Sequence, residues 1–420
     1  MIYLIKQQKV VNKLQESTMK SKKRIAVALS ALMTALTLCS AVGCSSSGQL
    51  DNGDGFFPTV TIAQAEGGVE YTPVLDGTPN KVTLPLLSGD IYTVCTEYKR
   101  GITDNYNKNF EDCFAPTPLT VSWESKEAPL YYTFDISTNE DMSDPDSYVT
   151  FDTSVTLKNL FMGYDYYYQI SAKYEDKLIK SRIFEFETEY LPRTVLVDEK
   201  VSNTRDWGGY YAEEGKRMKQ GIVYRGGALE DITEAGKQVM LYELGIQTDL
   251  DVRGDSGSPL LSSPLGESVN YIETKGPYYT AKYSSNSGVD SEGSYQEALA
   301  KEIKTFANPD NFPIYVHCSL GRDRTGTLCF LIQALLGVED LDMYRDYELS
   351  FMARTGKKAT DSKTIGAYMV GTPFKALYSY IKNFQKGNTL QENAEAFMLS
   401  IGVTEDEIAA IRANMLEEVK

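Results

Sequence analysis

The hydrophobic pattern of this chain changes period near residue 194, and no single layered arrangement satisfies both halves. Upstream, apolar and polar residues alternate in Leu119-Thr120-Val121-Ser122-Trp123 and in Tyr166-Tyr167-Tyr168-Gln169-Ile170-Ser171-Ala172. Turn residues recur between such runs. A period of two marks strands buried on one face, so residues 56–192 are expected to form a β-sandwich, with Tyr166, Tyr168, Ile170 and Ala172 on its inner side. Downstream, strand and helix patterns alternate. Thr233 is expected to open a helix that stops at Gly245, Ile246–Val252 to be a strand, and Pro313–His317 to be a short apolar strand followed by a helix from about Thr325. The last helix carries a capping box, Thr404 with Glu407, and an apolar stripe of Ile408, Ile411 and Met415. This is the pattern of an α/β domain over residues 194–420, with a central sheet flanked by helices. The fold class is therefore multidomain, β followed by α/β. A chain of 420 residues is long enough to bury both cores without metal or disulfide staples. Residues 56–113 show no clear pattern and fit an extra strand layer or a linker. Residues 254–295 are rich in Ser and Gly, as in a functional flap or an insertion.

The first 43 residues read as an address. Lys20, Lys22, Lys23 and Arg24 precede an apolar run from Ile25 to Gly43, and Cys44 follows it. That layout is a signal peptide, with Met19 a plausible start. Ala41-Val42-Gly43-Cys44 resembles a bacterial lipobox, with Ala41 where Leu is usual, and implies a lipid on Cys44. An uncleaved anchor is the alternative, since the apolar run is just long enough to span. Residues 44–55, rich in Ser and Gly, read as a flexible tether. Either way, the folded part is expected outside the cytoplasm, as a membrane-anchored lipoprotein or a secreted protein.

Charge and residue counts exclude several classes. The whole chain carries −16, and removing residues 1–43 leaves 35 basic against 57 acidic residues, or −22. Such a surface repels nucleic acid, so any anionic substrate must be caught by a local cluster of donors. His317 is the single histidine. It rules out zinc sites built on two or three histidines and leaves a Ser-His-Asp hydrolase one residue to use. Of the six cysteines, Cys95 and Cys113 are close enough to pair in an oxidising compartment, Cys329 lies in an apolar helical run, and Cys318 stands apart.

Cys318 opens the string His317-Cys318-Ser319-Leu320-Gly321-Arg322-Asp323-Arg324-Thr325-Gly326. A cysteine six residues before an arginine is a weak signal alone. The context strengthens it, because a strand, a glycine-containing loop and a helix N-terminus together form an anion cradle of backbone N–H groups. Gly321 allows a backbone angle other residues resist. Arg324 offers a planar fork that fits two phosphate oxygens. The same positive field acts on Cys318. A free thiol with a pKa of about 8.5 is only about 3% thiolate at neutral pH. A shift to about 5.5 would ionise nearly all of it, up to ~30-fold more nucleophile.

The string resembles the signature loop of cysteine-dependent protein tyrosine phosphatases, and in the form Cys-x-x-Gly-basic-Asp-Arg-Thr-Gly it is similar to the bacterial IphP-type tyrosine/serine, dual-specificity enzymes. Asn203-Thr204-Arg205-Asp206-Trp207-Gly208-Gly209 (Trp207 where Leu is usual), Gly221 through Leu229, Thr248 through Arg253 and Gly402 through Ile408 resemble other motifs of that family. The likeness spans about 194–418. It implies a phosphoric monoester hydrolase with Cys318 as nucleophile, Arg324 holding the phosphate, and Thr325 donating to the sulfur when a cysteinyl-phosphate breaks down. Asp323 matches the proposed general acid, with Asp255 as the alternative on a separate loop. Ser319, Leu320, Gly321, Arg322 and Thr325 would line the phosphate site, and His317 would order the loop. No cofactor and no metal are implied. Arg322 could hold a second phosphate or be a solvated loop charge. Arg205, Arg225 and Arg253 could reach the pocket, but salt bridges within the fold are the expectation. Residues 114–190 resemble a fibronectin type III module, with Trp123 as its core tryptophan and Leu160 through Tyr166 as its tyrosine corner.

Substrates implied are phosphotyrosine proteins or phosphoinositides. A phytase-like inositol polyphosphate phosphatase is a second enzyme reading, although so anionic a substrate fits the −22 balance poorly. A non-catalytic phospho-binding surface lipoprotein is a third, and a rhodanese-type sulfur transferase gives no reason for Arg324 or the Thr-Gly that follows. The β module is expected to act as a spacer or to bind another protein or the cell surface.

Overall fold

Alternating side chains need two environments, and the N-terminal strands provide them. The structure is a computed structural model. It describes residues 56–62, 70–71, 83–84, 87, 89–100, 116, 118–125, 127–198, 200–213, 215–253, 262–274, 294–352 and 373–419. The expectations for the leader at 1–43, the tether at 44–55 with Cys44, Cys113, Asp255 and most of the stretch 254–295 lie outside the described residues. Two units are formed. One takes the described residues up to Leu86 together with Thr117–Glu189, and the other takes those in Leu87–Pro116 together with Tyr190 onward.

The first unit holds β1 (Phe56–Ile62), β2 (Glu70–Tyr71), β3 (Thr83–Leu84), β4 (Leu119–Ser125), β5 (Tyr131–Ser137), β6 (Asp146–Thr150), β7 (Ser154–Leu157), β8 (Asp165–Lys173), β9 (Leu178–Lys180) and β10 (Phe184–Thr188). One sheet is ordered β2-β1-β4-β7, the other β3-β10-β8-β5-β6, with β9 paired to β8. Leu119, Val121 and Trp123 of β4 share one core with Tyr132, Phe134 and Ile136 of β5 and with Tyr166, Tyr168, Ile170 and Ala172 of β8. The period-two alternation thus points one face of each strand inward. Trp123 meets Tyr132 edge-on at 5.3 Å between ring centroids.

The stretch 56–113 is divided between the units. It gives β1 to the first and helix α1 (Gly89–Thr96) to the second. The second unit also contains β11 (Arg205–Asp206), β12 (Lys216–Met218), β13 (Val223–Gly226), β14 (Thr248–Asp251), β15 (Asn270–Glu273), β16 (Ile314–His317) and β17 (Leu416–Glu418). Its helices are α2 (Glu234–Gln238, running into a π-turn at Val239–Glu243), α3 (Ser294–Lys304), α4 (Asp323–Leu335), α5 (Asp340–Leu349), α6 (Pro373–Lys382), α7 (Leu390–Ser400) and α8 (Glu405–Met415). The main sheet is ordered β11-β13-β16-β14-β15. All its pairs are parallel except β11 with β13, and β12 and β17 form a separate antiparallel ribbon.

β16 occupies the middle of this sheet, and both of its faces are covered. Ile314 and Val316 join a core with α4 and the C-terminal helices, while Tyr315 joins a second core with Leu229, Met240 and Leu244. A strand buried on both faces is apolar throughout, which is why Pro313–His317 reads as a continuous run. Thr233 caps α2 through its hydroxyl, and Gly245 takes a positive φ of 67° where the helical stretch ends. The strand expected over Ile246–Val252 is the shorter β14, and α4 starts two residues before Thr325. The capping box Thr404–Glu407 and the buried stripe Ile408, Ile411 and Met415 are both present in α8. Cys329 is a buried free thiol in α4, pushed up to about 12 by burial, and is inert core as expected. Cys95 is likewise a buried free thiol; its expected partner Cys113 lies outside the described residues.

Candidate active site

The carboxyl end of the middle strand of an open parallel sheet is where ligands meet such folds, and β16 ends at His317, one residue before Cys318. The loop from Cys318 to Arg322 turns the chain into α4. Gly321 has φ +65°, and a Cβ there would sit 2.2 Å from the Gly226 carbonyl oxygen, so both backbone angle and space demand glycine. The loop carbonyls are tied to the scaffold. The Asn203 side-chain amide donates to the carbonyls of Leu320 (2.9 Å) and Gly321 (3.2 Å), and Arg225 Nη2 donates to Gly321 (2.8 Å). Ala228 N–H donates to the Ser319 carbonyl at 3.3 Å. With carbonyls held outward, the N–H groups of Leu320 and Thr325 are directed at the Cys318 sulfur. The N-terminal end of α4, with its positive dipole, points at the same place.

Cys318 itself is 4% exposed. Burial alone would raise its thiol, but it is outweighed by the Thr325 hydroxyl and N–H, the Arg324 charge and the Leu320 N–H. The net effect holds Cys318 below an ordinary thiol. His317, fully buried, sets Nε2 2.9 Å from Asp249 Oδ1 and Nδ1 3.3 Å from the Cys318 carbonyl oxygen. Burial works against its charge, but Asp249 and Asp251 prevail and lift it above an ordinary histidine. Ser263 Oγ donates to the other Asp249 oxygen at 2.7 Å. His317 is therefore a strut under the loop, set between the Asp249 charge and the Cys318 carbonyl.

The neighbouring arginines are structural. Asp346 of α5 receives Arg205 Nε on Oδ1 (2.9 Å) and Arg225 Nη1 on Oδ2 (2.5 Å), and its backbone carbonyl receives Arg205 Nη2 (2.6 Å). All three side chains are essentially without solvent contact. Asn203 Oδ1 in turn accepts from Arg205 Nη1 at 2.5 Å. A chain of contacts thus runs from Asp346 through both arginines to the carbonyls of the loop. Arg253 is bound to Asp251 and to Glu230. The expectation that these three arginines bridge within the fold holds.

A sequence model of the tyrosine phosphatase family matches residues 197–417, more than half of the chain. The chain belongs to the tyrosine phosphatase family. A Cupriavidus necator protein named as a tyrosine-protein phosphatase is 25% identical over 170 residues, covering 36% of this chain and 61% of that one. A Dictyostelium discoideum protein of similar name is 33% identical over 52 residues, 12% of this chain and 31% of that one. The chain thus spans less than two thirds of either relative. Among solved structures, the core catalytic domain of the PP-IP phosphatase SIW14 from S. cerevisiae, in complex with citrate, is similar at 17% identity. It covers 36% of this chain and 84% of that one, with a TM-score of 0.25.

In this tyrosine phosphatase unit, the structure brings the predicted residues Cys318, Arg324 and Thr325 together. It places Ser319 exposed, Leu320 and Arg322 half-buried, and Gly321 buried in the connecting loop. Asp323 opens α4. Its Oδ2 accepts from Arg322 Nε and Nη2, each at 3.0 Å, and its Oδ1 accepts from the Tyr347 hydroxyl at 2.9 Å. Asp255 lies outside the described residues. Two carboxylates beside the loop escaped the sequence reading. One is Asp346. The other is Glu302 of α3, which accepts from the Thr274 hydroxyl at 2.6 Å and feels the charge of Arg324. Burial pushes Glu302 up to about 7, with Thr274 and Arg324 opposing. Its signal was present: Leu299, Glu302, Ile303 and Phe306 share one helical face, and an acid on an apolar stripe needs a partner. Among the described residues, no group of three or more His, Cys, Asp or Glu is placed to hold a metal ion.

Proposed function

We propose that this chain is a cysteine-dependent phosphomonoesterase of protein-tyrosine or dual specificity, working through a cysteinyl-phosphate. The observation that carries the reading is the Cys318 thiol, held low in a cradle made by Thr325, Arg324 and the Leu320 amide. In the first step, the Cys318 thiolate attacks phosphorus, the P–O bond to the leaving group breaks, and Asp323 gives its proton to the departing oxygen. Arg324 and the loop amides from Ser319 to Arg322 hold the equatorial oxygens as charge shifts onto them. In the second step, water attacks phosphorus, Asp323 takes its proton, and the sulfur leaves as a thiolate stabilised by the Thr325 hydroxyl. Monoesters of low charge are favoured over inositol polyphosphates. In support of this, Arg205, Arg225 and Arg253 are committed to carboxylates, and Arg322 is bound to Asp323.

The test is Cys318→Ser in the full chain, assayed on a phosphotyrosine peptide, a phosphoserine peptide, a phosphoinositide and an inositol polyphosphate in the presence of a chelator. Loss of at least ~10³-fold on all four, with a phosphoenzyme trapped by acid quench only in the wild type, is the expected result. Turnover surviving in the variant would end the proposal. The order of rates among the four substrates in the wild type assigns the specificity.

On the same reading, the enzyme works outside the cytoplasm on a lipid tether at Cys44. Its N-terminal unit is a fibronectin type III-like arm that spaces the phosphatase or binds another protein or the cell surface. Support for that likeness comes from the Tyr166 hydroxyl, which accepts from the Phe161 N–H five residues upstream at 2.6 Å, as a tyrosine corner would.

A further inference from the structure

A general acid must present its proton from a fixed place, and Asp323 stands at a helix end beside a loop. Two donors hold it. Arg322 belongs to the loop itself and its side chain is 24% exposed, so it is the looser of the two. Tyr347 belongs to α5, a different element, and is 4% exposed. Its ring stacks on Phe374 of α6, with centroids 4.6 Å apart and planes 21° off parallel, and meets Phe351 edge-on at 5.7 Å. Phe374 is in turn braced edge-on by Phe330 of α4 at 5.3 Å. A tyrosine has only two side-chain torsions, and here both are fixed by packing.

The first turn of α4 is shaped to admit this ring. A Cβ at Gly326 would lie 3.0 and 3.3 Å from two carbons of the Tyr347 ring. The glycine after Thr325 therefore lets the phenol reach the residue that begins the helix. The hydroxyl ends 2.9 Å from Asp323 Oδ1. A tyrosine hydroxyl so placed, with its proton committed to a carboxyl oxygen, fixes the carboxyl plane. The other oxygen, Oδ2, carries the transferable proton once the partly exposed Arg322 guanidinium swings off it.

We propose that Tyr347 is the positioning residue of the general acid: it pins Oδ1 of Asp323 so that proton transfer to the leaving group runs through Oδ2. This rests on the reading of Asp323 as that acid. Tyr347 touches neither the phosphate nor the sulfur in this role. Its contribution is felt only when the leaving oxygen needs a proton, that is, with poor leaving groups.

The experiment measures kcat and KM of the full chain on aryl phosphates whose leaving groups range from 4-nitrophenol to phenol, for wild type, Tyr347→Phe, Asp323→Asn and the double variant. Phe keeps the ring packing and removes one hydroxyl. The expected result for Tyr347→Phe is a loss in kcat of roughly tenfold on phenyl phosphate and less than about threefold on 4-nitrophenyl phosphate, with KM little changed. The double variant should be no slower than Asp323→Asn, because both act on one proton transfer. A uniform loss across the series in Tyr347→Phe, beside a steep dependence in Asp323→Asn, would overturn the Tyr347 assignment alone. A flat series in Asp323→Asn would remove the general-acid reading, and this assignment with it.

Discussion

Replacing Asp346 by Ala strikes the contact on which the loop rests. The side chain is 1% exposed and lies between two guanidinium groups that are fully buried. Burial raises its carboxyl, but Arg225 and Arg205 outweigh that and hold Asp346 below an ordinary carboxylate, so it is the anion both cations rely on. Truncating it leaves two cations facing each other without solvent. Removing one partner of a buried pair costs about 3–5 kcal/mol, a large share of the roughly 5–15 kcal/mol that holds a domain folded. With a urea m-value of about 3 kcal/mol/M, the midpoint should fall by roughly 1–2 M. The chain has two tryptophans, one in each unit: Trp123 in the β core and Trp207 in the phosphatase core. Trp123→Phe leaves Trp207 to report the phosphatase transition, and Trp207→Phe leaves Trp123 to report that of the β unit. Asp346→Ala should shift the Trp207 transition and leave that of Trp123 in place. Turnover should also fall at low denaturant, since Arg225 carries the Gly321 carbonyl of the loop. A Trp207 midpoint within about 0.3 M of wild type would refute the claim that this anion compensates both arginines.

Glu302 makes stability depend on pH in a stated direction. Its folded value, raised from 4.5 to about 7, means that folding favours the protonated form. The stabilisation is full below pH 4.5 and is lost as pH rises through 7, a change of about 3 kcal/mol at most by linkage. Glu302→Gln should therefore match wild type near pH 4.5 and exceed it in urea midpoint at pH 8; parallel curves for the two proteins would count against the assignment. The wild-type N-terminal peptide should begin at Cys44 and carry an acyl mass, and Cys44→Ala should remove that mass. A wild-type N-terminal peptide without it would rule out the lipid tether.

Local pattern carried much of the architecture. The alternation of Leu119–Trp123 and Tyr166–Ala172 fixed which side chains point inward, because a strand has a period of two whatever surrounds it. The cap at Thr233, the stop at Gly245 and the box at Thr404 are likewise interactions within one turn of chain. The loop from Cys318 to Gly326 was legible for the same reason, since thiol, glycine, arginine and helix start lie within a few residues of each other. Patterning said less about residues 56–113, which the fold divides between its two units. That division depends on which distant surface each segment can cover, and no local period encodes it.

Sequence by itself determined the chemistry that Cys318, Asp323, Arg324 and Thr325 can perform, since functional groups and their spacing are properties of the chain. Tertiary structure alone decided what holds them in place. Asp346 meets Arg225 and Arg205 across 121 and 141 residues, Asn203 reaches Leu320 across 117, and Tyr347 reaches Asp323 from another helix. A buried charge takes whatever opposite charge the packing delivers, because leaving it unpaired costs more than any local preference supplies. That choice of partner is made only when sheet and helices close on one another.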